Sequence, residues 1–139
     1  MNTDTDSIVV ASGYFDPIHI GHIEYLNRSK SLGKKLIVIV NNDAQACLKK
    51  GRPFMPANER VKIVRELSMV DMAIEAVDND KTVCETLRIL HPDIFTNGGD
   101  QFCESIPERE LCIKNNIKLV DGLGEKIQSS SWLIKGKHV

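Results

Sequence analysis

Short apolar, β-branched runs alternate with helix-patterned segments along the whole chain, and this alternation constrains the fold more than any other feature. Residues 8–11 (Ile-Val-Val-Ala) and 36–40 (Leu-Ile-Val-Ile-Val) contain no polar side chain. A strand with one wet face would alternate apolar and polar residues. Continuous apolarity marks a strand covered on both faces, as in a parallel sheet. Weaker strands are expected at 72–77, 94–96 and 117–120. Residues 22–32 place Ile23, Leu26 and Leu32 on one stripe, with Gly33 as the stop. Further helices are expected at 44–50, at 58–67 with Asn58 as N-cap, at 82–90 with Thr82 as cap, at 107–115 and at 129–134. Parallel strands joined by helices form βαβ units with right-handed crossovers. The expectation is one α/β domain over residues 1–139: a five-stranded parallel sheet with helices on both faces, and a flexible N-terminus at 1–7. Such a sheet binds ligands at the carboxyl ends of its strands.

Composition narrows the class. The chain has 139 residues, the usual length of one domain, and its 42% hydrophobic and 27% charged residues are those of a folded globule. Eighteen Lys and Arg against nineteen Asp and Glu give a net charge of -1, which argues against a nucleic-acid binder. The longest apolar run, five residues, is far short of the roughly 20 that span a bilayer. The polar, acidic start is the opposite of a secretory signal. Cys47, Cys84, Cys103 and Cys112 form no C-x-x-C pair and read as thiols of a cytoplasmic protein.

The densest chemistry lies in Gly13-Tyr14-Phe15-Asp16-Pro17-Ile18-His19-Ile20-Gly21-His22, between the first strand and the first helix. Gly13 permits a tight turn and close backbone approach. A helix starting near Gly21 presents amides and a positive dipole end to an anion. His19 and His22, three apart, share one side of the first turn and can donate hydrogen bonds to phosphate oxygens. Gly21 leaves room for the phosphate to come close. A metal reading of the pair lacks a third ligand at helical spacing.

The pattern Gly13-x-Phe15-Asp16-x-x-His19-x-Gly21-His22 resembles the nucleotide-binding signature of the cytidylyltransferase-like, or HxGH, nucleotidyltransferases. It also resembles the HIGH motif of class I aminoacyl-tRNA synthetases, for which the chain is too short. The likeness continues through residues 36–43, Lys49-Lys50-Gly51-Arg52-Pro53, Asn58-Glu59-Arg60, the Pro92-Asp93 to Gly98-Gly99-Asp100 segment and Ser129-Ser130-Ser131. Its nearest branches are the heptose 1-phosphate adenylyltransferases and the glycerol-3-phosphate cytidylyltransferases. Residues 124–128 lack the Arg of the cytidylyltransferase branch, and Asn97 stands where the heptose branch has Lys. These departures leave the acceptor open.

The resemblance implies a Rossmann-like fold and transfer of AMP or CMP from ATP or CTP to a small phosphorylated acceptor. The acceptor could be a sugar 1-phosphate, a glycerol 3-phosphate or a mononucleotide such as FMN. Magnesium would ride on the triphosphate, with no protein metal site. His19, His22 and Lys49 are the candidate catalytic residues. Gly13, Tyr14, Phe15, Asp16, Gly21, Gly98, Asp100, Ser129, Ser130 and Ser131 are candidates for nucleotide binding. Lys50, Arg52, Arg60 and Lys81 are candidates for the acceptor phosphate, Arg60 alternatively as a support. Asp16 could orient His19 or the loop. The resemblance also implies a homodimer, to which residues 54–67 would lend apolar surface. The alternative class is a non-catalytic nucleotide sensor using the same pocket, which would not need donors aimed at an α-phosphate.

Overall fold

The computed structural model describes residues 7–98 and 106–123. Five strands are interleaved with five helices: β1 (Ile8–Gly13), α1 (Ile20–Lys30), β2 (Lys35–Val40), α2 (Asp43–Lys50), α3 (Ala57–Arg65), β3 (Met72–Glu75), α4 (Cys84–Leu90), β4 (Ile94–Gly98), α5 (Ile106–Lys114) and β5 (Lys118–Leu123). The strands form one parallel sheet in the order β3-β2-β1-β4-β5. The chain therefore winds outward from β1 to β3 and then returns to β1's other side. At that reversal the loops leaving β1 and β4 diverge, and a crevice opens between them.

The apolar run of β2 explains itself in this architecture. Leu36, Val38 and Val40 pack on one face with Leu26 of α1 and Val61 and Val64 of α3. Ile37 and Ile39 point the other way, toward Leu87 of α4 and Cys112 of α5. A period of two with both faces buried leaves no position for a polar side chain.

The crevice end of the sheet is held by polar contacts. Tyr25, which is not part of the Ile23, Leu26 and Leu32 stripe, is buried, whereas Ile23 is only partly so. Its hydroxyl donates to the Thr96 carbonyl of β4 at 2.7 Å and accepts from the Ser12 amide of β1 at 3.2 Å. Burial pushes the phenol up to about 12. The Ser29 and Thr96 hydroxyls share a 2.8 Å bond below it. These contacts tie α1 to the two strands that flank the reversal.

Two helix starts, α3 and α4, are capped by a carboxylate from elsewhere in the chain that the sequence reading did not include. Helix α3 begins at Ala57 after Pro56, and Asn58 is exposed. The Ala57 amide donates instead to the Asp43 carboxylate at 2.9 Å. Helix α4 begins at Cys84, whose amide donates to Thr82 Oγ1 at 3.3 Å, so Thr82 caps the helix as expected but shares the task. The Glu85 and Thr86 amides donate to the buried Asp78 carboxylate at 2.7 and 3.1 Å. A carboxylate at a helix start satisfies orphan amides and complements the dipole whichever element carries it.

Candidate active site

Strand β1 ends at Gly13 on the rim of a crevice of about 320 Å³. Gly13 lies close under its own neighbour: a Cβ there would come within 3.0 Å of the Phe15 ring, which would have to shift by a few tenths of an ångström. Phe15 is buried under the junction with φ of +52°, so the chain turns sharply at this point. The Asp16–Pro17 peptide is cis.

His19 and His22 close the start of α1 on each other. The Gly21 amide donates to His19 Nδ1 at 3.1 Å, and the His19 amide donates to His22 Nδ1 at 3.0 Å. The rings stack with centroids 3.9 Å apart, and Phe15 meets His22 edge-on at 4.9 Å. This refines the expectation of bare amides at the helix end. The Gly21 amide is spent on an imidazole, so an approaching anion meets imidazole edges. An Nδ1 that accepts a hydrogen bond carries no proton, so the neutral ring must carry its proton on Nε2. The backbone thus sets both rings as Nε2–H donors, and both line the crevice.

The turn before the pair is held by an ionic cluster in which the Arg60 and Asp16 side chains are buried while those of Lys50 and Asp43 are 37% and 46% exposed. Arg60 is 0% exposed. It donates to the carbonyls of Met55, Tyr14 and Asn41 at 2.8, 2.9 and 2.8 Å and to Asp43 Oδ1 at 2.8 Å. Asp16 accepts from the Phe54 and Met55 amides at 2.7 and 2.8 Å and from Lys50 Nζ at 2.9 Å. Two cations and two carboxylates balance, and each has directed partners, which is what makes burial of charge tolerable. Burial alone would raise the Asp16 carboxyl, but Lys50 and the two amides outweigh it and hold it below the usual value.

This cluster reassigns several acceptor-phosphate candidates. Arg60 is not a surface charge; it supports the floor of the site, tying the Tyr14 turn to the end of β2. Lys50 is committed to Asp16, and Asp16 orients the loop rather than His19. Arg52 is exposed and does not line the crevice. Lys49 and Lys50 belong to the last turn of α2, in line with the helix expected over 44–50: Asn42 and Gln45 start it with a capping box and Gly51, φ +94°, caps its end. The pattern Asn42-x-x-Gln45 was visible in the sequence as a capping signal.

Lys49 and Lys81 remain as crevice-lining cations. Lys49 Nζ rests 4.7 Å from the centroid of the Tyr14 ring. Burial raises the Tyr14 phenol, opposed by the charge of Arg60. Asn97, at the end of β4, also lines the crevice. Gly98 ends β4 on the same sheet edge as the histidine pair. Asp100, Ser129, Ser130 and Ser131 lie outside the described residues.

The lowered Asp16 carboxyl has a consequence for stability. A depressed carboxyl stabilises the fold above the ordinary carboxylate range, and that contribution fades as pH falls through the depressed value. Asp16→Asn is expected to cost about 1–3 kcal/mol near neutral pH. The wild-type and variant stability curves should converge below about pH 4, the ordinary carboxylate region. Urea unfolding across that range checks it; a constant gap would contradict the assignment.

Comparison with known proteins agrees with this geometry. Residues 10–131 match the family model described as Cytidylyltransferase-like. The FAD synthase of Thermoplasma acidophilum is 45% identical over 133 residues, covering 91% of both chains. The FAD synthase of Methanothrix thermoacetophila is 43% identical over 96 residues, and the chain spans 65% of it. Bifunctional protein HldE of Hahella chejuensis is 34% identical over 130 residues, and the chain spans only 25% of it. The crystal structure of the lipopolysaccharide core biosynthesis protein from Thermoplasma volcanium GSS1 matches with a TM-score of 0.74 at 35% identity, covering 83% of this chain and 94% of that one. Sequence and fold agree over most of the chain, which belongs to the cytidylyltransferase-like family and is one of its nucleotidyltransferases.

Proposed function

We propose that this nucleotidyltransferase moves AMP from ATP to the phosphate of FMN, giving FAD and pyrophosphate. The chemistry rests on one observation: two imidazoles with backbone-bound Nδ1 atoms line the crevice at the sheet's reversal. The choice of acceptor rests on likeness. The chain covers 91% of a FAD synthase at 45% identity, against 25% of HldE at 34%. A sugar 1-phosphate and CTP are the competing substrates.

In the reaction an oxygen of the FMN phosphate attacks the α-phosphorus of ATP. A new O–P bond forms, the bond from the α-phosphorus to the bridging oxygen breaks, and the electron pair leaves with pyrophosphate. A phosphate dianion is already a nucleophile, so no protein nucleophile is needed. The protein's part is positioning and charge stabilisation. The Nε2–H groups of His19 and His22 donate to α-phosphate oxygens as charge builds on them. Lys49 leaves the Tyr14 ring to bind a phosphate. Among the described residues no three His, Cys, Asp or Glu side chains converge on a metal position. Magnesium would enter as part of the nucleotide substrate and would offset phosphate charge there. Gly98, Asp100 and the three serines are the remaining nucleotide contacts in this reading.

The reading includes a cytoplasmic homodimer. Among the described residues Cys47, Cys84 and Cys112 form no disulfide, and no helix is long and apolar enough to cross a membrane. Phe54 is 74% exposed and Ile63 39%, surface that a second copy would cover. Light scattering should give twice the chain mass; a monomeric mass would remove the dimer.

His19→Asn separates chemistry from capping. Asn is a good N-cap, so stability should hold, while the Nε2 donor is lost. Turnover of ATP and FMN, read as pyrophosphate release, should fall roughly 10²-fold or more. His19→Ala should lose the same turnover and also about 1 kcal/mol of stability. Full turnover in a folded His19→Asn protein would contradict the mechanism.

Lys49 is a point charge that binds an oxyanion but cannot read a base edge. Lys49→Ala should lower kcat/KM about 10-fold for ATP and CTP alike, leaving their ratio unchanged. A solvated surface lysine would change it by no more than about twofold, within 0.5 kcal/mol. That result would leave the role to Lys81, the other crevice-lining lysine.

A further inference from the structure

We propose that Gln45 is a positioning residue that presents Lys81 to the acceptor phosphate, so that α2 sets the spacing of the two crevice lysines. The inference rests on the nucleotidyl-transfer reading above and adds to it a residue that touches no substrate.

Charge frames the problem. The reaction brings a triphosphate and a phosphate monoester together, more negative charge than two imidazole donors can balance. Lys50 is held by Asp16, and Arg60 is buried on Asp43 and three carbonyls. Lys49 and Lys81 line the crevice, and among the described residues neither is in an ion pair. Lys81 is the second cation that the crevice offers an incoming phosphate.

An exposed lysine on a connection would ordinarily be a solvated side chain, but the backbone around Lys81 is fastened. Gln45 is 0% exposed. Its Nε2 donates to the Asp80 carbonyl at 2.7 Å and to the Thr82 carbonyl at 2.8 Å, one on each side of Lys81. Its Oε1 accepts from Asn41 Nδ2 at 3.0 Å and from the Asn42 amide at 2.8 Å. Both donors and both acceptor positions of the amide are used. Asn42 Nδ2 adds bonds to the Ala76 and Asp78 carbonyls at 3.0 and 2.9 Å. Carbonyls 76, 78, 80 and 82 are thus all bonded to side chains at the start of α2. A satisfied buried network of this kind specifies one backbone path. Gln45 and Lys49 stand four apart, on one face of α2. One helix therefore carries one lysine directly and brackets the other. Past Lys81, Glu108, which also lines the crevice, accepts the Val83 amide at 3.0 Å.

The test is a double-mutant cycle on the full chain, varying FMN at fixed ATP. Lys81→Ala should raise KM for FMN about 10-fold, the loss of one charge-assisted contact, with kcat within threefold. Gln45→Met, which keeps bulk and removes the amide, should raise that KM about 5-fold. In the Lys81→Ala background Gln45→Met should change KM less than twofold, because the group it positions is gone. A merely structural role predicts the same factor in both backgrounds, and that result overturns the proposal; so does Lys81→Ala with KM within twofold of wild type. If Gln45→Met does not fold, Gln45→Glu takes its place: it keeps the acceptor oxygen and turns the donor into an oxygen facing two carbonyls. If the wild type does not turn over FMN, the acceptor reading fails by itself. The same cycle is then read by calorimetry with a sugar 1-phosphate, where coupling supports the proposal and additivity overturns it.

Discussion

Two imidazole nitrogens cap the first helix, and the chemistry of the site follows from that exchange. A helix start normally offers its orphan amides to a ligand or to a Ser or Asp cap. Here the caps are Nδ1 atoms of His19 and His22. The backbone therefore decides which nitrogen of each ring keeps the proton. The result is a pair of Nε2–H donors in fixed orientation, stacked at 3.9 Å, at the positive end of a helix. Such donors gain strength as negative charge develops and need no rearrangement when it does.

Fixed donors need a fixed floor. The turn that carries the pair is pinned from below by Arg60 through the Tyr14 carbonyl, and the same guanidinium reaches the Asn41 carbonyl at the end of β2. Asp16 anchors the loop after α2 to the same turn through the Phe54 and Met55 amides. The cluster joins four separate segments at one point, where an apolar core could not supply direction. Removing one member would leave its partners buried and unsatisfied, which costs more than the interaction gains.

The parts of this design differ in how visible they were in the sequence. The sheet was legible because Leu36 to Val40 is apolar on both faces, a pattern that only a doubly covered strand produces. The histidine pair was legible because its spacing places both rings on one turn. Arg60 was not, because a charged residue in an otherwise ordinary helix gives no sign of burial; its partners come from residues 14, 41, 43 and 55. Tyr25 was missed for the related reason that its hydroxyl meets carbonyl and amide groups of two strands brought together only by the fold. Asn58 was read as a cap from its type, but the cap that acts on α3 is Asp43, fourteen residues earlier in sequence than the amide it binds. Local patterns carry periodicity and turn chemistry. They do not carry hydrogen bonds between distant segments.

The central claim is that the backbone fixes the proton on Nε2 of both histidines. Long-range proton–nitrogen correlation in uniformly nitrogen-15-labelled protein reads this directly, ring nitrogen by ring nitrogen, with His19→Asn and His22→Ala giving the assignments. The account predicts a protonated Nε2 and an unprotonated Nδ1 on both rings at neutral pH. A proton on Nδ1 of either ring would contradict it.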